Sequence, residues 1–315
     1  MDAVRNAPTE RTQAQLPNLV IAGVAKGGTT SLFRYLAQHP DICASRTKEL
    51  RYFEPLRYGE PMSPLESYAR HFSHCSGQRY RMEATPGYFG GGRPIAKAID
   101  ETLDGARVIV CLREPIQRCW SWYRFVRSRA RIPKEMQFGS YLDTCMDLRE
   151  AGLDGLRVNQ PYSGLRGGCY DESMGSWLEL FGDRLHIEFF DDIVTDPHST
   201  VERILRWLGL DVGVAAGFQY DVENRTVQYS NRTAQQVALW LNRRGEQFFD
   251  RHAGLKRVLR SAYYAVNQDS TAEVLEAAAR ERLSAFYVPH NQKLVDVLRS
   301  TGYDRRPAWL SDVTS

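Results

Sequence analysis

Short β-forming runs alternate with helical stretches over the first two thirds of the chain, and this alternation restricts the fold more than any other feature. The runs are NLVIAG (18–23), RYRMEA (79–84), ARVIVCL (106–112) and LHIEFF (185–190). Between them, TTSLFRYLAQHP, RPIAKAIDETL and ESMGSWLELFG place apolar residues at helical spacing. Asp196, Pro197 and Gly209 bracket a further helix as N-cap, first-turn proline and stop. Strands separated by helices predict an α/β fold, a central and mainly parallel sheet flanked by helices on both faces. From about Thr233 the pattern turns helical, ending in TAEVLEAAARERLSAFYVPHNQKLVDVLRSTG. No repeat and no long linker interrupts it. The expected organisation is a disordered tail, 1–16, and a single domain, 17–315, with loop insertions and a helical C-terminal part.

A chain of 315 residues, 43% apolar and 25% charged, can bury a large core. Its formal charge of +3 suits an enzyme of anionic substrates and gives no footprint of nucleic-acid binding. The polar start carries no apolar signal segment, and no apolar run reaches the ~18 residues of a membrane span, so a cytoplasmic protein is expected. The six cysteines, Cys43, Cys75, Cys111, Cys119, Cys145 and Cys169, form no CxxC and show no zinc-like Cys/His spacing. Reduced, structural thiols in a reducing compartment are the expectation.

The stretch GVAKGGTTS (23–31) joins the first strand to the first helix. Unpaired amides at a helix start and the helix dipole attract anions. Gly27 and Gly28 permit close approach, Thr29, Thr30 and Ser31 add hydroxyls, and Lys26 adds a charge. A nucleoside-triphosphate loop would place its lysine after the glycines, whereas Thr29 follows Gly28 here. Such enzymes also need a magnesium-binding carboxylate after a neighbouring strand. ARVIVCL is followed instead by Arg113, which attracts a second anion. In LREPIQRCWSWY, Arg113 precedes a helix opened by Pro115, and Ser121 lies about two turns in. Two separate anion sites and metal-free chemistry follow from this reading. The other reading is a plain tight turn, a salt-bridged loop arginine and a neutral helix serine.

Together these segments resemble the family of sulfotransferases that use 3′-phosphoadenosine 5′-phosphosulfate (PAPS), with its P-loop-like α/β fold. The glycine-rich turn resembles the family's 5′-phosphosulfate loop, and LREPIQRCWSWY its 3′-phosphate motif. The branch most similar holds the heparan sulfate N- and O-sulfotransferases and many bacterial relatives. KELRYFE (48–54), MEATPGYF (82–89), the block from Gly167 to Pro197, RTVQYSNRT (225–233) and the C-terminal helix extend the likeness over roughly residues 17–309.

The resemblance implies PAPS as donor, PAP as product, no metal, and a carbohydrate or small natural product as acceptor through a hydroxyl or, less readily, an amine. It implies that Lys26 meets charge on the leaving phosphate. Gly27, Gly28, Thr29, Thr30 and Ser31 hold the 5′-phosphate, and Arg113 and Ser121 the 3′-phosphate. Arg232, favoured over Asn224 and Arg225, reaches the nucleotide. Glu49 is the implied general base, provided a dry cleft lifts its pKa. Lys48, Arg51, Glu54, Thr85 and Tyr88 fall where the acceptor is held. Ala84 stands where heparan-type enzymes often carry lysine, which puts a heparan substrate in doubt and leaves Lys48 to supply charge. His71 and His74 are rival bases, read as helix-face residues.

From Arg113 to Glu135 seven basic residues face two acidic ones, either lining an acceptor cleft or forming a solvated face. The basic segment 240–260 either packs on the domain or meets an anionic membrane. A nucleotide kinase and a non-catalytic anion-binding scaffold of the same fold are the rival functions. Oligomeric state is left open.

Overall fold

In the computed structural model, residues 15–221, 228–229, 268–269 and 274–311 are described. The chain divides into two compact units. Met1–Pro115, Cys169–Glu223 and Phe286–Ser315 form the first, and Ile116–Gly168 with Asn224–Ala285 the second. The sequence reads as one domain with loop insertions and a helical C-terminal part.

The chain runs β1 (Leu19–Gly23), α1 (Thr29–Leu36), β2 (Ile42–Ala44), α2 (Leu65–Ala69), β3 (Tyr80–Ala84), α3 (Gly92–Thr102) and β4 (Arg107–Leu112). Next come α4 (Pro115–Ser128), α5 (Phe138–Glu150), α6 (Asp171–Phe181), β5 (Leu185–Phe189), α7 (Phe190–Thr195) and α8 (Pro197–Leu208). Then follow β6 (Gln228–Tyr229), β7 (Gln268–Asp269), α9 (Ala277–Ser300) and α10 (Ala308–Ser311).

In the first unit the five strands lie in the order β2-β3-β1-β4-β5, and every neighbouring pair is parallel. Successive side chains of a strand point to opposite faces. Leu19 and Ile21 therefore pack with Leu32 and Leu36 of α1 and Ile204, Leu205 and Leu208 of α8. Val20 and Ala22 pack with Ile95 and Ile99 of α3, Met174 and Trp177 of α6, and Leu294 and Leu298 of α9. The sequence gives both faces of β1 apolar residues because both are covered. The parallel sheet with helices on both faces is as expected.

Asp196 caps α8, its Oδ1 accepting from the Ser199 amide at 3.0 Å, and Gly209 ends it at φ 68°. Two boundaries differ from the sequence reading. The three-residue β2 escaped it, being too short to show alternation. Leu16, placed in the disordered tail, is buried, and its carbonyl accepts from Arg81 Nε at 2.6 Å; residues 1–14 lie outside the described residues.

The chain leaves β1 toward the β3 side of the sheet and leaves β4 toward β5. Such a reversal opens a crevice at the C-terminal ends of the two strands, where open α/β sheets bind ligands. The loops that follow β1 and β4 carry Lys26 and Arg113.

In the second unit Cys119, Trp122, Tyr123, Phe138, Tyr141, Leu142 and Cys145 of α4 and α5 are buried, and Tyr123 packs against Phe138 and Tyr141. The buried Arg118 donates to the Gly164 carbonyl at 3.0 Å, and β6 pairs antiparallel with β7.

Trp177 is fully buried, stacks on Phe181 and donates Nε1–H to the Phe89 carbonyl at 3.1 Å. Trp177→Ala is expected to destabilise the first unit by about 3–5 kcal/mol in equilibrium denaturation. A loss under about 1 kcal/mol would show that the helical layer does not depend on this side chain.

Candidate active site

The turn after β1 is shaped by contacts that exclude side chains. A Cβ on Gly27 would lie 2.4 Å from the Cys111 carbonyl oxygen of β4. Gly28 adopts φ 84°, a left-handed conformation that favours glycine, and a Cβ there would press on Phe190 at 3.1 Å. Lys26 also has positive φ, 72°. The Val24 amide donates to the Cys111 carbonyl at 3.0 Å, and the Gly27 amide to the Val24 carbonyl at 2.9 Å. No side chain caps α1, so its first amides remain donors for an anion. Thr29 is buried and Thr30 half-buried; Ser31 hydrogen-bonds Tyr35 one turn on.

Arg113 closes the other side of this crevice. Its Nη1 donates to the Lys26 carbonyl at 3.1 Å, and its guanidinium lies 4.2 Å from the Phe190 ring centroid. The Arg113 carbonyl accepts from the Tyr170 hydroxyl at 2.7 Å. The positions after β1 and β4 are thus joined directly, with Phe190 packed against both Gly28 and Arg113.

The acid-bearing segment is a loop, because β2 ends at Ala44. Glu49 and Arg51 take left-handed φ values of 66° and 57°. The Glu49 amide donates to the Ala84 carbonyl at 3.0 Å, and the Arg51 amide to Thr85 Oγ1 at 3.1 Å, so both strained residues are tied to the end of β3. Glu49 Oε1 lies 3.3 Å from Lys48 Nζ, and Oε2 accepts from Arg51 Nη2 at 3.1 Å. Arg51 also lies 3.7 Å from Glu54.

The expectation that a dry cleft lifts the Glu49 pKa is reversed. Burial acts to raise it, but the Lys48 charge and the Arg51 hydrogen bond outweigh burial and hold the carboxyl below its ordinary value. Glu49 is ionised at neutral pH and 39% exposed, so it can take a proton. Burial lowers the Lys48 pKa despite its acidic neighbours.

Beneath this loop lies a carboxyl that sequence reading passed over. Strand alternation sends Glu83 to the same face as its register partner Val20, among aromatic residues. It is fully buried, accepting from Tyr68 Oη at 2.7 Å and Thr85 Oγ1 at 3.0 Å, with Tyr88 as a further partner. Burial raises its pKa to about 7 against the pull of these hydroxyls and of Lys48.

The sulfotransferase domain family matches residues 16–255, more than half of the chain. The chain belongs to the sulfotransferase domain family. It is 36% identical over 155 residues to the membrane-associated sulfotransferase kil1 of Dictyostelium discoideum, covering 47% of this chain and 32% of that protein. It is 29% identical over 203 residues to heparan sulfate glucosamine 3-O-sulfotransferase 3B1 of Mus musculus, covering 62% and 47% respectively. The matched part thus spans less than half the length of these relatives. A sulfotransferase from Alicyclobacillus acidocaldarius shares the fold with a TM-score of 0.64 at 21% identity, over 95% of this chain and 99% of that one.

Within this sulfotransferase domain, the first unit brings together Lys26, Gly27, Gly28, Thr29, Thr30 and Arg113 at the strand ends, and Lys48, Glu49, Arg51 and Glu54 on one loop. Ser121 is half-buried in α4 of the second unit. Arg232, Asn224, Arg225 and the 240–260 segment lie outside the described residues. Thr85 and Tyr88, expected to hold the acceptor, are 2% and 0% exposed. Their hydroxyls are taken up by Glu83, the Arg51 amide and the Phe53 amide, so they support the loop from below. In the basic run, Arg118 is buried and Arg127 donates to Tyr123 Oη at 2.7 Å, so these two serve the second unit's interior.

His74 belongs to a turn rather than a helix face, its Nε2 lying 3.1 Å from the Ala44 carbonyl. His71 sits in the short 3₁₀ turn Arg70–Phe72. The expectation of reduced cysteines fails for Cys43 and Cys75, which form a disulfide across 32 residues of sequence, while Cys111, Cys119, Cys145 and Cys169 are free. The inference from reduced thiols to a reducing compartment loses that support. Among the described residues, two groups bring possible ligand atoms within 4.8 Å: Cys43, His74 and Cys75, whose sulfurs are already joined, and Cys169, Glu172 and His290.

Glu83, Tyr170 and Phe190 are the site residues that sequence reasoning missed. None left a clear signal, since alternation in RYRMEA places Glu83 on one face with Arg81, the pattern of a solvated edge. The folded pKa of Glu83 is raised, so its contribution to stability is fully present below the ordinary 4.5 and is lost as pH rises through about 7. Glu83→Gln removes this penalty. It is expected to gain on the wild type in stability as pH rises through that window, by about 3 kcal/mol at most. Parallel pH dependence of the two melting temperatures would show that Glu83 does not titrate in the fold.

Proposed function

We propose that this chain transfers a sulfuryl group from PAPS to a hydroxyl, or less readily an amine, of a carbohydrate or small natural product. The observation that carries the reading is the joined crevice of the first unit: the uncapped, glycine-shaped start of α1 beside Arg113, which donates to the Lys26 carbonyl at 3.1 Å. Membership of the sulfotransferase family supports the reaction, and similarity to a mouse enzyme named for glucosamine 3-O-sulfation supports a sugar hydroxyl as acceptor.

The residues fit a nucleotide with phosphates at two positions. Gly27 and Gly28 bring backbone amides close, Thr29 and Thr30 add hydroxyls, and Lys26 adds charge at the 5′ side. Arg113 and Ser121, with Arg232, are assigned to the 3′-phosphate. When bound, PAPS supplies an activated sulfuryl group, and PAP is the product. Lys26 stabilises negative charge on the departing phosphate, the electrostatic contribution expected of a loose transition state. Glu49 accepts the proton of the acceptor hydroxyl. Lys48 and Arg51 keep it ionised for that task, and its partial exposure leaves it reachable. Arg51 and Glu54 are assigned to orienting the acceptor, with no metal taking part in the proposed step.

Glu49→Gln is expected to retain PAP binding by calorimetry while sulfate transfer from PAPS to a panel of hydroxylated sugars falls by about 10²-fold or more. Unchanged turnover would remove Glu49 as the base. PAP binding by the wild type without transfer to any acceptor would favour a scaffold.

Arg113→Ala is expected to weaken PAP by about 1.5–3 kcal/mol, the scale of a charged hydrogen bond, and to leave adenosine 5′-phosphosulfate, which lacks the 3′-phosphate, nearly unaffected. Equal losses for both nucleotides would show that Arg113 does not read that phosphate.

A further inference from the structure

Three metal-binding groups meet in the first unit, where the residues that open α6 face the interior of α9. Cys169 and Glu172 stand three residues apart, and the Glu172 amide donates to the Cys169 carbonyl at 3.4 Å. That helical turn puts their side chains on one face. His290 lies one turn before Leu294, which shares a buried cluster with Met174 and Trp177 of α6. Cys169 Sγ, a Glu172 carboxylate oxygen and a ring nitrogen of His290 all lie within 4.8 Å of one another. We propose that Cys169, Glu172 and His290 bind a zinc ion that fastens α9 to the start of α6.

The donor set suits that metal. Zinc takes thiolate, imidazole and carboxylate, and the sulfur disfavours magnesium and calcium. Donor atoms about 2.0–2.3 Å from a tetrahedral ion lie about 3.3–3.6 Å apart, so small side-chain adjustments gather these three around one ion. The Asp171 carboxylate accepts from His290 Nδ1, its oxygens lying at 2.8 and 3.0 Å. That bond orients the ring and leaves the Nε2 lone pair to a metal, the carboxylate support that zinc-bound histidines use. The side chains of Asp171 and His290 are 8% and 15% exposed, and Phe286 lies 5.2 Å from the imidazole, so packing holds the ring as well. Cys169 is buried, whereas Glu172 is exposed and gives an ion a path in.

Binding exchanges the Cys169 S–H bond for a bond from sulfur to zinc and sends the proton to solvent. The thiolate and the Glu172 carboxylate then balance the two charges of the ion, and water takes the fourth position. Tyr170, between these ligands in sequence, donates to the Arg113 carbonyl at 2.7 Å. The ion therefore steadies the segment that holds Arg113. Among the described residues, the other set with ligand atoms in range is Cys43, His74 and Cys75, which has no thiolate to offer while the disulfide joins its sulfurs.

The test uses the full chain, stripped of metal by a chelator and kept under nitrogen without reductant, so that the Cys43–Cys75 disulfide persists. Cobalt(II), a coloured ion that takes the same tetrahedral donors, is added first. A single equivalent is expected to give a sulfur-to-cobalt charge-transfer band, which an equivalent of zinc(II) then removes. Zinc should also raise the melting temperature of the wild type. Cys169→Ser is expected to lose both the band and the thermal response, His290→Gln to bind zinc far more weakly, and Asp171→Asn to lose about 10–100-fold in zinc affinity. Far-ultraviolet circular dichroism reports whether each variant is folded. X-ray absorption of the zinc-loaded wild type decides even where a variant is not: one sulfur at about 2.3 Å, with nitrogen and oxygen at about 2.0–2.2 Å, is expected.

A wild type that gives no charge-transfer band overturns the proposal, as does a band that persists in Cys169→Ser. A zinc shell with no sulfur or with two sulfurs places the ion elsewhere and has the same force. Zinc that binds without raising the wild-type melting temperature removes the fastening of α9 to α6.

Discussion

The approach of Gly27 to the Cys111 carbonyl is the constraint on which the site depends. With no room for a Cβ, the backbone after β1 lies directly against the end of β4. That contact brings the Lys26 carbonyl within reach of Arg113 and leaves space beside Gly28 for Phe190. β1 pairs in parallel with β4, Leu19 against Arg107 and Ile21 against Ile109, and a register shift then sets Gly23, the last residue of β1, against Val110, two residues before the end of β4. A sheet register fixed by burial on both faces thus becomes the spacing of two cationic positions.

The loop bearing Glu49 reaches the same end of the sheet by another route. It hangs from β3 by two backbone bonds, to the Ala84 carbonyl and the Thr85 hydroxyl, and these hold Glu49 and Arg51 in left-handed conformations that neither would adopt freely. Two carboxyls near it are shifted in opposite directions. Glu49 is kept ionised at the partly exposed rim, whereas Glu83, some thirty residues on in sequence, is kept near neutrality in the aromatic interior. Two carboxyls of one chemical type are driven apart by their surroundings.

Much of this was legible in the residues. Apolar alternation marked the four longer strands, and Asp196, Pro197 and Gly209 marked both ends of α8, because local backbone rules govern these features. The glycine pair and Arg113 were legible as turn residues after β1 and β4 because their order along the chain follows the order of the strand ends. Features set by distant contacts were not. The three residues of β2 carry too little pattern to stand alone. Thr85 and Tyr88 were assigned to the acceptor from the family resemblance, and the buried carboxyl that their hydroxyls meet was not recognised. The sense of the Glu49 pKa shift depends on Lys48 and Arg51 converging through positive φ values, which no spacing rule discloses.

The Cys43–Cys75 disulfide joins the edge strand β2 to the turn that precedes β3. It therefore encloses Glu49, Arg51, Glu54 and Tyr68 in one covalent ring. A single peptide-bond break anywhere between the two cysteines would open that ring without releasing either portion from the rest of the polypeptide. The acid-bearing loop could be cut and its severed ends would still be held by strand pairing on one side and sulfur on the other.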